Sequence, residues 1–284
     1  MRCYLNGSFV EESDAFISVN SLGFRYGDGF FDTIKFVNGS IALEQLHQKR
    51  IASSLVALHF EESNLVSPIS IHHAINTLVK QNGLQQRARV RLMVFRGEGV
   101  IHSSVSSQPN LLIQVAPLAG ERIQLNTEGW TLGTFYDGIK AADAFAGIKS
   151  NNYLLYTMAS KEAKRNNWDD ALVLNQYGRA ADTSIANIWA IKHNVLYTPA
   201  IKEGPVEGVM RQFLLQLCHE HQINVIVDKL APAFLYEADG LFLTNAIIGV
   251  KWIAQFESKQ YDMHPLVQFF AQKIADSEQK VNKK

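Results

Sequence analysis

In the stretch Ala146-Gly147-Ile148-Lys149-Ser150-Asn151-Asn152-Tyr153-Leu154-Leu155, a lysine stands between the end of an apolar segment and the start of a helical pattern. Partial burial and the positive end of the helix dipole both lower the pKa of an amine at such a junction. A neutral amine is the form of lysine that makes a Schiff base. Lys149 is therefore the leading candidate for a catalytic residue, with an ordinary surface lysine beside a helix start as the alternative.

Length and composition are those of a globular enzyme. The chain has 284 residues, 47% of them hydrophobic, so it can bury a substantial core in one large domain or two. Its 27 basic and 27 acidic residues are scattered and give a net charge of zero, which argues against nucleic-acid or membrane partners. No signal peptide or transmembrane stretch is evident. With only Cys3 and Cys218 as cysteines, we expect a reduced, cytoplasmic protein.

The first half of the chain contains clear local signals. Asn6-Gly7 predicts a hairpin with a tight primed turn, and Asn38-Gly39 is a second signal of this kind. Apolar residues at helical spacing predict helices over 43–58 and 71–78. Two apolar runs, 90–95 and 111–115, predict neighbouring strands. Gly27 and Gly29 flank an acid just before a further strand, which forces either an unusual backbone path near a site or a plain structural turn.

Strands alternate with helices in the second half. Strands are predicted near 130–135, 171–174, 188–191, 224–227 and 241–243, and helices over 153–165 and 209–218, near 234 and from about 265. The layout predicts an α+β (mixed α/β) protein with a smaller N-terminal domain (1–116), a linker (117–121) and a larger C-terminal domain (122–284) that carries Lys149. We expect the active site in the crevice between the two domains.

Two segments suit a phosphate group. Residues 204–213 run from a glycine-punctuated loop into an amphipathic helix, whose first backbone N–H groups and positive dipole end favour a phosphate monoester. Arg50, on the first predicted helix, could clamp the same phosphate with its guanidinium. A plain helix entry and a solvated helical arginine are the alternatives when each segment is considered alone.

In their order and spacing, these segments resemble the class IV aminotransferase family, the fold-type IV enzymes that use pyridoxal 5′-phosphate. The resemblance extends from Asn6-Gly7 to Thr244-Asn245-Ala246 and so covers nearly the whole chain. It implies an enzyme with the two-domain fold of the D-amino acid aminotransferases, with pyridoxal 5′-phosphate as its cofactor. It also implies a homodimer that acts on a small-molecule substrate.

The resemblance assigns roles to individual residues. Lys149, in Gly-Ile-Lys-Ser-Asn-Asn, would hold the cofactor as a Schiff base and move protons. Arg50 and the backbone of Val209 and Met210 would bind the phosphate. Asn245 falls in the second phosphate-side loop, where Ala246 replaces the threonine of many aminotransferases and removes one hydroxyl contact.

Two further residues are carried over with a departure from the family pattern. Asp182 takes the position of the glutamate that faces the pyridine nitrogen, where a carboxylate keeps the ring protonated and preserves its capacity to accept electrons. Its side chain is one methylene shorter, so a longer or water-mediated contact is expected. Tyr153 matches a tyrosine near the cofactor's phenolic oxygen, although the spacing from the lysine differs by one residue and core packing is an equal alternative.

Two other motifs are not assigned to chemistry. The side chains of the run Cys218-His219-Glu220-His221, at the end of a predicted helix, point in several directions, so no metal site is expected. Arg96-Gly97-Glu98-Gly99 is not followed by a helical pattern and therefore is not a dinucleotide-binding fingerprint.

The choice of reaction rests on finer resemblances. The segment Gly-Val-Met-Arg-Gln-Phe at 208–213, the Asn245-Ala246 pair and Thr33 all resemble the family's lyase, which converts 4-amino-4-deoxychorismate to p-aminobenzoate and pyruvate in folate synthesis. In that reaction Lys149 would remove a ring proton, with Thr33 assisting its return. A branched-chain or D-amino acid aminotransferase with a 2-oxo acid acceptor is the alternative, and a cofactor-binding module without turnover is a third. The lyase interpretation lacks an arginine after the Arg-Gly loop to hold a substrate carboxylate, and Arg25 and Lys251 are the candidate substitutes.

Overall fold

The computed structural model describes residues 1–100, 107–118 and 125–280, with side chains as far as residue 278. The chain divides into two compact units. The first consists of Met1–Glu121, Lys149–Tyr153 and Glu278–Lys284, and the second of Arg122–Ile148 and Leu154–Ser277. Each unit contains helices and a sheet of its own, and the predicted α+β class is confirmed. Of the predicted linker 117–121, all but Pro117 and Leu118 lies outside the described residues.

The first unit is built on strands β1 (Arg2–Leu5), β2 (Ser8–Glu11), β3 (Gly29–Val37), β4 (Ser40–Ile41), β5 (Arg87–Arg96) and β6 (Pro109–Pro117). Within the described residues they form one antiparallel sheet in the order β2-β1-β6-β5-β3-β4. Asn6 (φ 47°) and Gly7 (φ 95°) make the predicted primed turn between β1 and β2. Asn38 (φ 51°) and Gly39 (φ 83°) make the second one, between β3 and β4.

The helices of the first unit pack against this sheet. They are α1 (Leu22–Tyr26), α2 (Glu44–Ala57) and α3 (Pro68–Gln81), with single 3-10 turns at Glu12–Asp14 and Asn64–Val66. Helix α2 lies against β3, and α3 lies against β1 and β6. The Ser67 hydroxyl caps α3 by accepting the N–H of Ser70, and α3 buries Ile75 and Leu78 completely. This apolar contact forms the core of the first unit.

The Lys149 segment belongs to the first unit, although residues on both sides of it in sequence belong to the second. The prediction that Lys149 is part of a domain running from 122 to 284 is therefore wrong. The physical reason is a short antiparallel pairing along β3, in which Phe31 N–H donates to Lys149 O (2.9 Å) and Asn151 N–H donates to Gly29 O (3.0 Å). These bonds satisfy backbone groups at the exposed edge of β3, which β4 covers only at the other end.

The second unit contains the strands β7 (Trp130–Lys140), β8 (Asp170–Asn175), β9 (Ala180–Thr183), β10 (Asn187–Lys192), β11 (Val195–Pro199), β12 (Val225–Asp228), β13 (Gly240–Asn245), β14 (Gly249–Phe256) and β15 (Lys259–Gln260). As far as the chain is described, they form a mixed sheet in the order β12-β11-β10-β13-β14-β7-β8-β9, with β15 added to β14. Strand β7 runs parallel to β8 and β14, and β11 runs parallel to β12.

The helices of the second half are α4 (Leu154–Arg165), α5 (Val209–Glu220), α6 (Pro232–Glu237) and α7 (Pro265–Lys280), with a 3-10 turn at Ile201–Glu203. Helix α4 lies against β7 and β8, and α5 lies against β13. The core between these layers is aliphatic, and Leu172, Ile188 and Ile253 in it are completely buried. Within the described ranges, no helix has both the length and the apolar character needed to cross a bilayer.

Most predicted elements are confirmed, and the elements that were missed are the short helix α1 and several strands. The predicted helix over 153–165 begins at Leu154, and the one over 209–218 extends to Glu220. Four strands of the second sheet had not been predicted: β9, β11, β14 and the two-residue β15. Strand β9 is short, and its sequence Ala-Ala-Asp-Thr has little β propensity, so pairing with β8 rather than local preference makes it a strand.

The pairing of the Lys149 segment with β3 depends on Gly29. Its φ is +147°, and a Cβ at this position would lie 2.1 Å from Val94 O and 2.7 Å from Asn151 Nδ2. We predict that Gly29→Ala lowers the free energy of unfolding by about 3 kcal/mol or more. Gly39→Ala is the matched control, because Gly39 also has a positive φ (+83°) but nothing within 4 Å of its Cβ position, and should cost only about 1 kcal/mol. Equal losses in denaturant unfolding of the two variants would contradict this account.

Candidate active site

The amine of Lys149 lies among aromatic rings in the first unit. Its Nζ is 4.8 Å from the centre of the Phe31 ring and 5.2 Å from that of the Tyr153 ring. The two rings meet edge to face with their centres 5.2 Å apart. Phe31 is buried on β3, while Lys149 and Tyr153 are half-buried. The structure thus brings the predicted residues Lys149 and Tyr153 together. The Phe31 and Tyr153 rings hold the amine on one side of β3.

The same side of β3 carries Thr33 and a second cation. Side chains two residues apart on a strand share a face, so Thr33 lies on the same face as Phe31. Its partner across the pairing with β5 is Arg91, whose guanidinium carbon lies 4.4 Å from the centre of the Phe31 ring. Burial, followed by the nearby charge of Arg89, lowers the pKa of Arg91. A lysine, an arginine and a hydroxyl therefore converge on one face of the sheet.

Arg50, the predicted phosphate ligand, is engaged with the opposite face of β3. Asp32 alternates with Phe31 and Thr33 along the strand, and Arg50 donates to both of its carboxylate oxygens, with Nε at 3.3 Å from Oδ2 and Nη2 on Oδ1. His47 Nδ1 lies 3.0 Å from the same carboxylate. Burial raises the pKa of Asp32, but Arg50 and then His47 outweigh burial and hold that pKa well below its usual range. Arg50 is thus part of a buried ion pair, and its phosphate role stays a prediction.

Asp182 is the centre of a hydrogen-bond network in the second unit. Its Oδ1 accepts from Asn187 Nδ2 (2.7 Å), and its Oδ2 accepts from Val206 N–H (2.7 Å) and Tyr156 OH (3.1 Å). In the described part of the chain all three donors are neutral groups. Burial, the dominant cause, raises the pKa of Asp182 to about 7 against the effect of these donors. A carboxylate has about four acceptor positions, so one remains on Oδ1 for a further donor.

The start of α5 is held close to this network. Asn187 Nδ2 also donates to Val206 O (2.9 Å), so one amide group connects Asp182 with the loop before the helix. Gly208 precedes α5, and a Cβ there would lie 1.8 Å from Asn187 Oδ1. The helix then begins with Val209 and Met210, whose side chains are buried and whose N–H groups belong to the first turn. These N–H groups and the dipole of the 12-residue helix α5 suit an anion, as predicted from the sequence.

Asn245 has a structural role that the sequence did not indicate. Its Oδ1 accepts from the N–H groups of Ile247 (2.9 Å) and Ile248 (2.8 Å), and its Nδ2 donates to Ile185 O (3.0 Å). The side-chain amide therefore shapes the turn between β13 and β14. Because the Asn245 side chain is used in the turn, only the backbone of this turn would bind the phosphate, and this role stays a prediction.

Comparison with known proteins gives the same family as the motifs. The family model "Amino-transferase class IV" matches residues 29–256. The chain belongs to the class IV aminotransferase family. The "Putative branched-chain-amino-acid aminotransferase" of Methanocaldococcus jannaschii is 30% identical over 260 residues, which span 86% of this chain and 84% of that protein. The aminodeoxychorismate lyase of Bacillus subtilis is 27% identical over 262 residues, which span 91% and 87%.

The fold agrees with this membership. The crystal structure of the branched-chain aminotransferase from Thermoproteus uzoniensis superposes with a TM-score of 0.88 at 22% identity, covering all of this chain and 96% of that one. As a class IV aminotransferase, the chain is an enzyme of a family that works with pyridoxal 5′-phosphate, and it is a lyase or an aminotransferase. Its relatives in both reaction classes are too distant to decide between the two.

Sequence reasoning missed four residues of these networks: Phe31, Arg91, Tyr156 and Asn187. Arg91 could have been found from its alternation with Arg87 and Arg89, because every second residue of a strand shares a face. Tyr156 is one helical turn beyond Tyr153, and only the course of α4 places its hydroxyl on Asp182. Among the described residues no cluster of three or more His, Cys, Asp or Glu side chains could hold a metal ion.

The raised pKa of Asp182 has a consequence for stability. Because the native carboxyl holds its proton up to about pH 7 while the unfolded one loses it near pH 3.8, the stabilisation is complete below pH 3.8 and is lost as pH rises towards 7. We predict that the cofactor-free protein loses about 2–4 kcal/mol relative to Asp182→Asn between pH 4 and pH 7. Unfolding of both proteins in urea across this range measures the difference. A difference that does not change with pH would show that Asp182 titrates normally.

Proposed function

We propose that this chain is a pyridoxal-phosphate-dependent 4-amino-4-deoxychorismate lyase, which forms p-aminobenzoate and pyruvate and acts as a homodimer. The observation that carries the proposal is the position of Thr33, whose half-buried side chain is on the same face of β3 as Phe31, the ring beneath the Lys149 amine. The resemblance of Thr33, Met210 and Asn245-Ala246 to the family's lyase agrees with this position. The Bacillus subtilis relative bears the name of this lyase.

The residues present suit pyridoxal 5′-phosphate. Asp182 is a buried carboxyl whose hydrogen-bond donors in the described structure are neutral, and a protonated pyridine nitrogen would supply both a positive charge at hydrogen-bond distance and the fourth hydrogen bond. The first turn of α5, with Val209 and Met210, would hold the phosphate. Lys149 would hold the aldehyde carbon, and Arg50, as the resemblance implies, would add a phosphate contact. When bound, the cofactor supplies an electron sink for the charge left by proton removal.

The protein's own residues then handle the protons. The Lys149 amine takes the proton from the ring carbon that bears the substrate's amino group. The bond between the neighbouring ring carbon and the enolpyruvyl oxygen breaks with its electrons going to oxygen, and the ring becomes aromatic. Lys149, assisted by the Thr33 hydroxyl, returns a proton to the methylene carbon of the released enol, which becomes pyruvate. The Phe31 and Tyr153 rings restrict the amine to the position where it serves both carbons.

Arg91 is the group that suits a substrate carboxylate. Arg25 is exposed and stacks on Tyr26 at 5.4 Å, and Lys251 is on β14 of the second sheet. The Arg91 guanidinium is half-buried beside Phe31, on the same face of β3 as the Lys149 amine. A partly desolvated guanidinium binds a carboxylate bidentately. Arg91 would therefore replace the arginine that is missing from the sequence after the Arg-Gly loop.

Amino-acid transfer is the second candidate, and the 30% identity to the Methanocaldococcus jannaschii protein favours it. The same Lys149 would then move a proton between the substrate's α-carbon and the cofactor. This reaction leaves the amino group on the cofactor, so a 2-oxo acid must accept it before the next turnover. The lyase has no such requirement.

The need for a 2-oxo acid therefore separates the two reactions. We predict that the purified holoenzyme forms p-aminobenzoate and an equal amount of pyruvate from 4-amino-4-deoxychorismate without any 2-oxo acid, measured by p-aminobenzoate fluorescence. Lys149→Ala should lose at least about 10³-fold in rate, because the proton carrier is removed, while Lys161→Ala on the exposed side of α4 should not. A cofactor-loaded protein that makes no product until an amino acid and a 2-oxo acid are added would be an aminotransferase.

Thr33 provides a second prediction. Thr33→Val keeps the shape of the side chain but removes the hydroxyl, so we expect kcat for the lyase to fall by about 10–100-fold. Thr33→Ser restores the hydroxyl and should retain most of the rate. The cofactor absorbance of both variants should match that of the parent enzyme. Equal kcat values for Thr33→Val and the parent would exclude Thr33 from the reaction.

A further inference from the structure

Lys140, at the end of β7, lies behind the Asp182 network. Its Nζ is 5.4 Å from the centre of the Tyr156 ring, and the hydroxyl of this same ring donates to Asp182 Oδ2. A cation over the face of a phenol draws electron density from the ring, which makes the hydroxyl a stronger hydrogen-bond donor. Lys140 thus acts on Asp182 through Tyr156 as well as through its own charge.

The backbone around Lys140 sets its side chain in place. Lys140 pairs with Asn175 of β8 after an irregularity in the β7–β8 register. Its Cγ lies 3.4 Å from where a Cβ of Gly204 would be, and Gly204 has a φ of +94°. The stem is therefore packed beside the turn that begins the loop leading to Val206 and α5.

The other charged groups near Asp182 do not have the same effect on its ionisation as Lys140. Arg211, on α5, is attracted to Asp182, but its Nη2 donates to Pro199 O (2.9 Å). Glu207 is an acid that acts on Arg211, and Asp143 is an acid that acts on Lys140. Asn187 and the Val206 N–H, which also donate to Asp182, are neutral.

We propose that Lys140 is a positioning residue whose ammonium, held over the Tyr156 ring, keeps Asp182 ionised and ready to pair with the protonated ring nitrogen of the cofactor. The shorter aspartate at this position is buried deeply, and a buried carboxylate with only neutral donors tends to take up a proton. The charge of Lys140 opposes that tendency. The role of Asp182 as a partner of the cofactor rests on the proposed function, whereas the coupling between Lys140 and Asp182 does not.

Burial and charge have opposite effects on both residues. Burial raises the pKa of Asp182 to about 7, and the charge of Lys140 is among the causes that lower it. Burial likewise lowers the pKa of Lys140, and Asp182 is the largest of the causes that raise it. Each group thus favours the charged form of the other, without an ion pair at hydrogen-bond distance.

The test is a titration of Asp182 in the cofactor-free protein. With aspartate labelled by ¹³C at the carboxyl, the resonance of Asp182 is assigned by its absence in Asp182→Asn and followed from pH 5 to pH 9. We expect Lys140→Met to move its midpoint upward by about one pH unit, because the variant removes a charge but keeps the apolar stem. Lys140→Arg should leave the midpoint within about 0.3 units of the parent, as should Lys161→Met, which removes an exposed charge from α4.

In the holoenzyme, Lys140→Met should also weaken the binding of the cofactor. At about pH 7.5, a one-unit rise reduces the ionised fraction of Asp182 and should lower the affinity for pyridoxal 5′-phosphate about threefold in Lys140→Met but not in Lys140→Arg. Lys140→Gln replaces Lys140→Met if circular dichroism shows that the methionine variant does not fold. An unchanged midpoint, or equal shifts in the methionine and arginine variants, would overturn the proposal. Neither readout uses substrate, so a failure of the lyase assay leaves this result unaffected.

Discussion

Two backbone hydrogen bonds between β3 and the Lys149 segment determine where Lys149 lies. The N–H of Phe31 donates to Lys149 O, and the N–H of Asn151 donates to Gly29 O. Because this register is fixed, the Lys149 amine lies over the Phe31 ring, and the alternation of the strand adds Thr33 and Arg91 to the same face. A shift by one residue would exchange these groups for the Asp32 and Arg50 face.

In the second unit, burying the charged form of the Asp182 carboxyl has a large free-energy cost. Asp182 accepts from Asn187, Tyr156 and Val206, and the same Asn187 packs against Gly208 at the entry to α5. One network thus determines both the charge of the carboxyl and the position of the helix start. The electrostatics suit a ligand that combines a cationic ring nitrogen with a phosphate, since these groups match the carboxylate and the helix dipole. Pyridoxal 5′-phosphate has both.

Local sequence signals predicted a large part of the fold. Hairpins at Asn-Gly pairs, amphipathic helices and long apolar strands form from neighbouring residues, and the structure confirms them. Strands β9 and β14 pair with their sequence neighbours β8 and β13, but their own residues did not indicate them, and the sequence of β9 has little β propensity. The sequence also placed Lys149 in the C-terminal domain, whereas its pairing with Gly29 and Phe31, about 120 residues away in sequence, groups it with the first unit.

The candidate site likewise combines residues that local motifs indicate with contacts that only the folded structure shows. Lys149, Asp182 and the start of α5 could be singled out because motifs carry them, whereas the contacts of Arg50 with Asp32 and of Asn245 with its own turn are tertiary facts. We propose that Lys149 is the residue that binds the cofactor covalently. Borohydride reduction of the holoenzyme, followed by peptide mass spectrometry, locates the modified lysine. We expect a phosphopyridoxyl group on the peptide that contains Lys149 and on no other lysine, and the same group on a different lysine would show that Lys149 does not have this role.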